Sequence, residues 1–292
     1  MSDLKIIWLC AKASNRKLWG SSKSYILLIV MLIYHYNSFA FFKPIAEWIG
    51  ESPTLWVFPF FLGNPSMFIP FGAAAMLLYG NAPFIDGHTP FMQIRAGRRN
   101  WILGQLLFVF TSSFLYTLCQ VLFSFLALLP NIQFSGDWGR VLFSIAESSG
   151  TFMEAGMEVG FSPSYELLEL LSPAYAMFMA MLMYWLGTMF VACVILLVNL
   201  LTNRSSGLIV AALFISLAYF ACYLGSFSIG MWLYHFSPIS WSCISYLDWL
   251  KQEVLPSPTY AVIGYIVLIL GLSIGSVLFY CRNDVDIHEG GE

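Results

Sequence analysis

The chain has 292 residues, 59% hydrophobic and 10% charged, with a formal net charge of −3 and a mean hydropathy of +0.76. A soluble globular domain carries about 25% charged residues, so this composition excludes one. No basic stripe is long enough to track a phosphate backbone, which argues against nucleic acid as a partner.

The first element is expected over Asp3 to Trp19, within a cytoplasmic segment 1–24. Leu4, Ile7, Trp8, Ala11 and Leu18 recur at helical spacing, and Lys5, Lys12 and Arg16 fall on another face. This pattern predicts a basic amphipathic helix at the headgroup level of the membrane. Gly20, Ser21 and Ser22 offer a break after it. The 24 residues before the first apolar run are too long and too charged for a signal-peptide n-region, so the first span is expected to stay as an anchor.

A spanning helix needs about 20 mostly apolar residues. Six segments meet that length, near 25–42, 66–85, 102–129, 173–200, 207–227 and 259–281. The transmembrane domain is therefore expected over 25–281, followed by a tail at 282–292. Residues 53–65 are apolar but rich in Pro, Gly and Asn, which suggests an interfacial or re-entrant piece.

Basic residues orient the chain. Lys5, Lys12, Arg16, Lys17 and Lys23 precede the first span, Arg95, Arg98 and Arg99 separate the second and third, Arg204 the fourth and fifth, and Arg282 follows the sixth. Ten of the 13 basic residues thus lie on one side, and both termini are expected in the cytoplasm. The opposite side is acidic. In the loop 130–172, Glu147, Glu154 and Glu158 are seven and four apart and share a face if helical. Such a face is either merely solvated or steers a cationic substrate.

Segment 228–258 holds Trp232, Phe236, Trp241 and Trp249 together with Pro238. It is too aromatic for a free loop and too broken to span, so short re-entrant helices forming an outer gate are expected there.

The expected spans carry no Asp, Glu, Lys or Arg, and no nucleophile or metal motif is recognisable. The six cysteines form no CxxC or Cys/His cluster, which leaves them as small packing residues. Ion-coupled carriers and intramembrane enzymes are disfavoured accordingly. No complete Walker A sequence occurs, so ATP hydrolysis is not expected of this chain. Gln105, Ser112, Tyr116 and Gln120 form one stripe of the third span, and Tyr219 and Tyr223 a shorter set in the fifth. With His35 of the first span, these polar residues either pack helices together or line a pathway.

The segment 86–100 opens with Asp86 and Gly87 and closes with Arg95, Ala96, Gly97, Arg98, Arg99 and Asn100, running on through Trp101 into a long span. An acidic-glycine start followed by this Arg-rich run resembles the permease subunits of type-2 ABC exporters. The basic N-terminal helix, the order of six spans and the Ser237-Pro238 region before the last span are similar to that family as well. The resemblance implies a type-2 exporter permease fold, an all-α integral membrane protein with an interfacial first helix and re-entrant outer helices. It implies two nucleotide-binding ATPase subunits as partners, a second permease copy or a related permease, and surrounding lipid. ATP and magnesium would sit on the partner, with no cofactor held here. A bacterial cytoplasmic membrane is the expected location. In this reading Asp86, Gly87, Arg95, Arg98 and Arg99 belong to a coupling helix. The alternative is a membrane scaffold or sensor that binds a partner without transport.

Overall fold

The computed structural model describes residues 3–85, 89–224, 228–252 and 254–282. Asp86, Gly87, Glu253 and most of the tail lie outside them. Among these described residues twelve α-helices follow in chain order: α1 Asp3–Trp19, α2 Ser22–Phe39, α3 Phe42–Ile49, α4 Phe68–Tyr79, α5 Thr89–Ala96, α6 Arg98–Ala127, α7 Arg140–Glu154, α8 Tyr165–Leu170, α9 Pro173–Thr202, α10 Gly207–Tyr223, α11 Ser228–Phe236 and α12 Pro258–Arg282. Short 3-10 helices occupy Phe58–Gly63, Pro65–Met67, Pro238–Ser242 and Ile244–Tyr246. Among the described residues there is no strand, and a single isolated bridge pairs Thr54 with Gln133.

Among the described residues, four helical stretches are long and apolar enough to cross a membrane: Ser22–Ile49, Arg98–Ala127, Pro173–Thr202 and Pro258–Arg282. The chain is thus an all-α membrane protein. The other two expected spans are shorter apolar helices, Pro65–Tyr79 and Gly207–Tyr223. The second expected span, 66–85, starts where expected but stops early: α4 ends at Tyr79, and Gly80 to Ile85, with Pro83 among them, are not helical.

The centre of the bundle is α9, packed against α4, α6, α10 and α12. It is apolar all round and buried over much of its length, as expected for a helix without a solvent face. Gly187 permits its closest approach, because a Cβ there would stand 2.1 Å from the Ser242 hydroxyl oxygen.

One end of the bundle gathers the loops 50–67, 128–172 and 237–257, which we call the cap. Trp56 donates its indole N–H to the Ser135 carbonyl at 2.7 Å, Thr54 its hydroxyl to the Trp138 carbonyl at 2.7 Å, and Trp138 its indole N–H to the Leu171 carbonyl at 2.9 Å. The other end carries α5 and the start of α6.

The first helix is built into the bundle rather than laid against it. α1 runs in the same direction as α6, from an Asn100 Nδ2 to Asp3 hydrogen bond at its start to Asn15 Nδ2 donating to Thr111 near its end. Between them Ser14 and Gln105 exchange hydrogen bonds at 3.0 and 3.3 Å. Close contact is possible because Gly104 has no side chain; a Cβ there would lie 2.5 Å from that of Cys10. Leu4 and Trp8, at 79% and 55% exposure, remain free to meet lipid, whereas Ala11 and Leu18 of the same expected face are buried in protein.

Candidate functional site

Three groups of residues carry the functional expectations. The first is the elbow at the α5 end. α5 ends at Ala96, Gly97 adopts φ +78° and ψ 150°, and α6 begins at Arg98. A positive φ suits glycine because no Cβ meets the carbonyl. The turn redirects the chain and leaves α5 as a separate short helix. Phe91 and Ile94 are 67% and 82% exposed, and Arg95, Arg98 and Arg99 are exposed beside them. Asp86 and Gly87 of the same expected group lie outside the described residues. The expected role drew on the charges, while the two exposed apolar residues were not singled out, although their i, i+3 spacing was visible.

The second group is the polar stripe of α6. Gln105, Ser112, Tyr116 and Gln120 are all buried, and each is engaged differently. Gln105 is spent on Ser14. Ser112 accepts from the Tyr79 hydroxyl at 3.1 Å and donates to the Phe108 carbonyl at 2.7 Å. Tyr116 stacks on Tyr184 of α9, ring centroids 6.3 Å apart. The Tyr116 hydroxyl has no hydrogen-bond partner, and neither the amide oxygen nor the nitrogen of Gln120 has one. His35 of α2 is equally buried. One ring nitrogen bonds the Met31 carbonyl at 2.8 Å, while Nε2 has no partner and Phe39, Phe61, Phe71 and Phe123 surround the ring. Tyr219 and Tyr223 stack on each other, and Tyr223 is 68% exposed on the outer side of α10. They are therefore not placed with the α6 stripe. A slot beside Tyr184, Thr188 and Ser242 measures about 30 Å³, room for about one water.

The third group is the expected gate. Pro238 and Trp241 are buried, the indole N–H of Trp241 donating to the Tyr234 carbonyl at 2.7 Å. Tyr265 of α12 donates to the Pro238 carbonyl at 2.5 Å, and its oxygen lies 2.9 Å from that of Ser242. Trp249 is half-buried, with Nε1 donating to the Ile244 carbonyl at 2.8 Å. Trp232 and Phe236, four apart on α11, are about 70% exposed and point away from this cluster. The structure thus joins Pro238, Trp241 and Trp249 in the cap and leaves the other two on the surface. Burial pushes the Cys243 thiol in the same segment up to about 11, against the smaller opposing effect of hydrogen bonds from Ser245 and Tyr246.

Among the described residues no cluster of His, Cys, Asp or Glu is arranged to hold a metal ion. Compared with protein-family models, with curated proteins and with solved structures, the chain matches none.

Proposed function

We propose that this chain is the permease subunit of an ATP-driven exporter of the ABC type. It would work in a bacterial cytoplasmic membrane with its cap outside, both termini inside and all six apolar helices crossing. The observation that carries this reading is α5, a short helix packed on α1 and α6 but set off from α6 by the turn at Gly97, with Phe91, Ile94 and Arg95 turned outward. On the charge pattern that end faces the cytoplasm, where exposed apolar side chains beside cations suit a soluble partner with an apolar, acidic groove. An ATPase subunit seated there would move α5 and α6 as a rigid body. ATP and magnesium would belong to that partner. The substrate would be hydrophobic or amphipathic, a cationic peptide first and a lipid or drug second, because the cap carries Glu147, Glu154 and Glu158.

A scaffold or sensor that binds a partner without transport draws on a different observation. The buried α6 stripe is largely consumed by helix packing, and the slot of about 30 Å³ is too small for a substrate. In the transporter reading the route would instead run between two permease copies.

The test is mild purification from native membranes, with mass spectrometry of co-purifying proteins and an ATPase assay. A stoichiometric ATPase that is lost from a Phe91→Glu/Ile94→Glu variant supports the exporter. Repeated recovery of the chain without any ATPase overturns it in favour of the scaffold.

A further inference from the structure

Where α2 ends, the cap leaves a groove of about 540 Å³. Its apolar lining includes Phe41, Met67, Met153 and Met157, its amides are Asn37 and Asn64, and its one ionisable residue is Glu158. No Lys, Arg or His lines it. Small-molecule sites measure about 300–1,000 Å³ and combine a mainly apolar surface with a few placed polar groups, as this groove does.

The walls are held by contacts of their own. Asn64 donates from Nδ2 to the Gly160 carbonyl at 3.0 Å, while its Oδ1 accepts from the Ser66 N–H and hydroxyl. The Tyr34 hydroxyl donates to the Met67 sulfur at 3.0 Å. Phe41 stacks on Phe42 with centroids 4.3 Å apart and meets the edge of Phe161 at 5.4 Å. Gly160 closes against the Phe41 ring, since a Cβ there would stand 2.8 Å from it. The pocket is therefore shaped before any ligand arrives, which lowers the ordering cost of binding.

We infer that this groove binds a small lipophilic cation. Thioethers and an aromatic ring offer a polarisable, electron-rich surface that suits a bulky, weakly hydrated positive charge. Glu158 adds a fixed negative charge at the rim, and no lining cation opposes it. A small inorganic cation keeps its water and gains nothing from three methionines. A lipophilic anion meets the same surface with the carboxylate against it. As a binding site the groove stands independently of transport, and as a station on an export route it rests on the exporter reading above.

The probe is tetraphenylphosphonium, with tetraphenylborate as the matched anion. Binding is measured to the purified chain in phosphatidylcholine nanodiscs, with empty discs subtracted. Saturable binding of the cation at one site is expected, weakened at least tenfold by Glu158→Gln and also lost in Met157→Trp, which fills the groove. Both variants should keep the wild-type elution volume and melting midpoint, because both positions are at least partly exposed. Equal affinity of wild type and Glu158→Gln, or equal saturable binding of cation and anion, overturns the site. Stimulation of a co-purified ATPase by the cation in wild type alone would join the site to export. Binding without stimulation keeps the site and counts against its place on the route.

Discussion

The Tyr246 hydroxyl donates to the carbonyl of Gly63 at 2.8 Å, joining two irregular segments that lie 183 residues apart in sequence. Tyr246 also stacks on Tyr234 with centroids 5.5 Å apart and tilts over Phe68 at 6.1 Å. One ring thus holds the segment before α4 to the segment before α12, and it fixes the cap as a single piece.

Tyr246→Phe keeps the ring contacts and removes only the hydrogen bond. A loss of about 0.5–1.5 kcal/mol in stability is expected. Thermal unfolding of wild type and variant in the same detergent measures it, and an unchanged midpoint would show that the two segments are held by other contacts.

Gln120 makes the opposite prediction. Its buried amide has no partner, and an unsatisfied polar group of this kind costs about 1–3 kcal/mol. Gln120→Leu should therefore raise the melting midpoint. If the residue serves transport by holding water, the same variant should lose transport while gaining stability. A lower midpoint would mean that the amide is satisfied by water whose removal costs more than the desolvation.

The seat of α1 depends on Gly104. Gly104→Leu should push α1 away, since even a Cβ would collide with Cys10. Cys10 is buried, and burial raises the pKa of its thiol, which keeps it unreactive. In a Cys281→Ser background, maleimide labelling of Cys10 should be slow in wild type and at least tenfold faster in the variant. Independently, a double-mutant cycle between Ser14→Ala and Gln105→Leu should give a coupling of about 0.6 kcal/mol.

Cys243 makes the stability of the cap depend on pH. Its thiol titrates near 11 in the folded chain against an ordinary value of 9.0. The folded state therefore binds the proton more tightly, and the resulting stability is fully present below pH 9. It is lost as pH rises from 9 to 11, on the order of 2–3 kcal/mol at ~1.36 kcal/mol per unit. Cys243→Ala should flatten that part of the stability profile, measured as the difference between wild type and variant, since tyrosines titrate in the same range.

Each of the six apolar segments proved to contain a helix, because an uninterrupted apolar run of that length leaves few alternatives in lipid. Their lengths were harder to read. The second expected span runs to residue 85, yet α4 stops at Tyr79, where Gly80 and Pro83 end the helical ladder. The polar stripe of α6 was visible by spacing, but the partners were not. Gln105 meets Ser14 from 91 positions away, and the Trp185 indole donates to Ser113 from 72 away. Periodicity says which face a residue shares and nothing about what stands opposite. The aromatic residues of 228–249 divide for a related reason, since Tyr234 is buried and Trp232 exposed on the same short helix and composition alone does not tell them apart.

The cap is fastened by one recurring kind of contact. Trp56, Trp138, Trp249, Tyr246, Thr54 and Asn64 each donate from a side chain to a main-chain carbonyl elsewhere in it, while Trp241 donates to that of Tyr234 in α11 and Tyr265 of α12 to that of Pro238. A carbonyl is the same whatever residue bears it, so the accepting positions are free to change identity while the donors are not. Over evolutionary time such a cap can drift through much of its sequence and keep its shape, provided that a handful of rings and short polar side chains stay where they are.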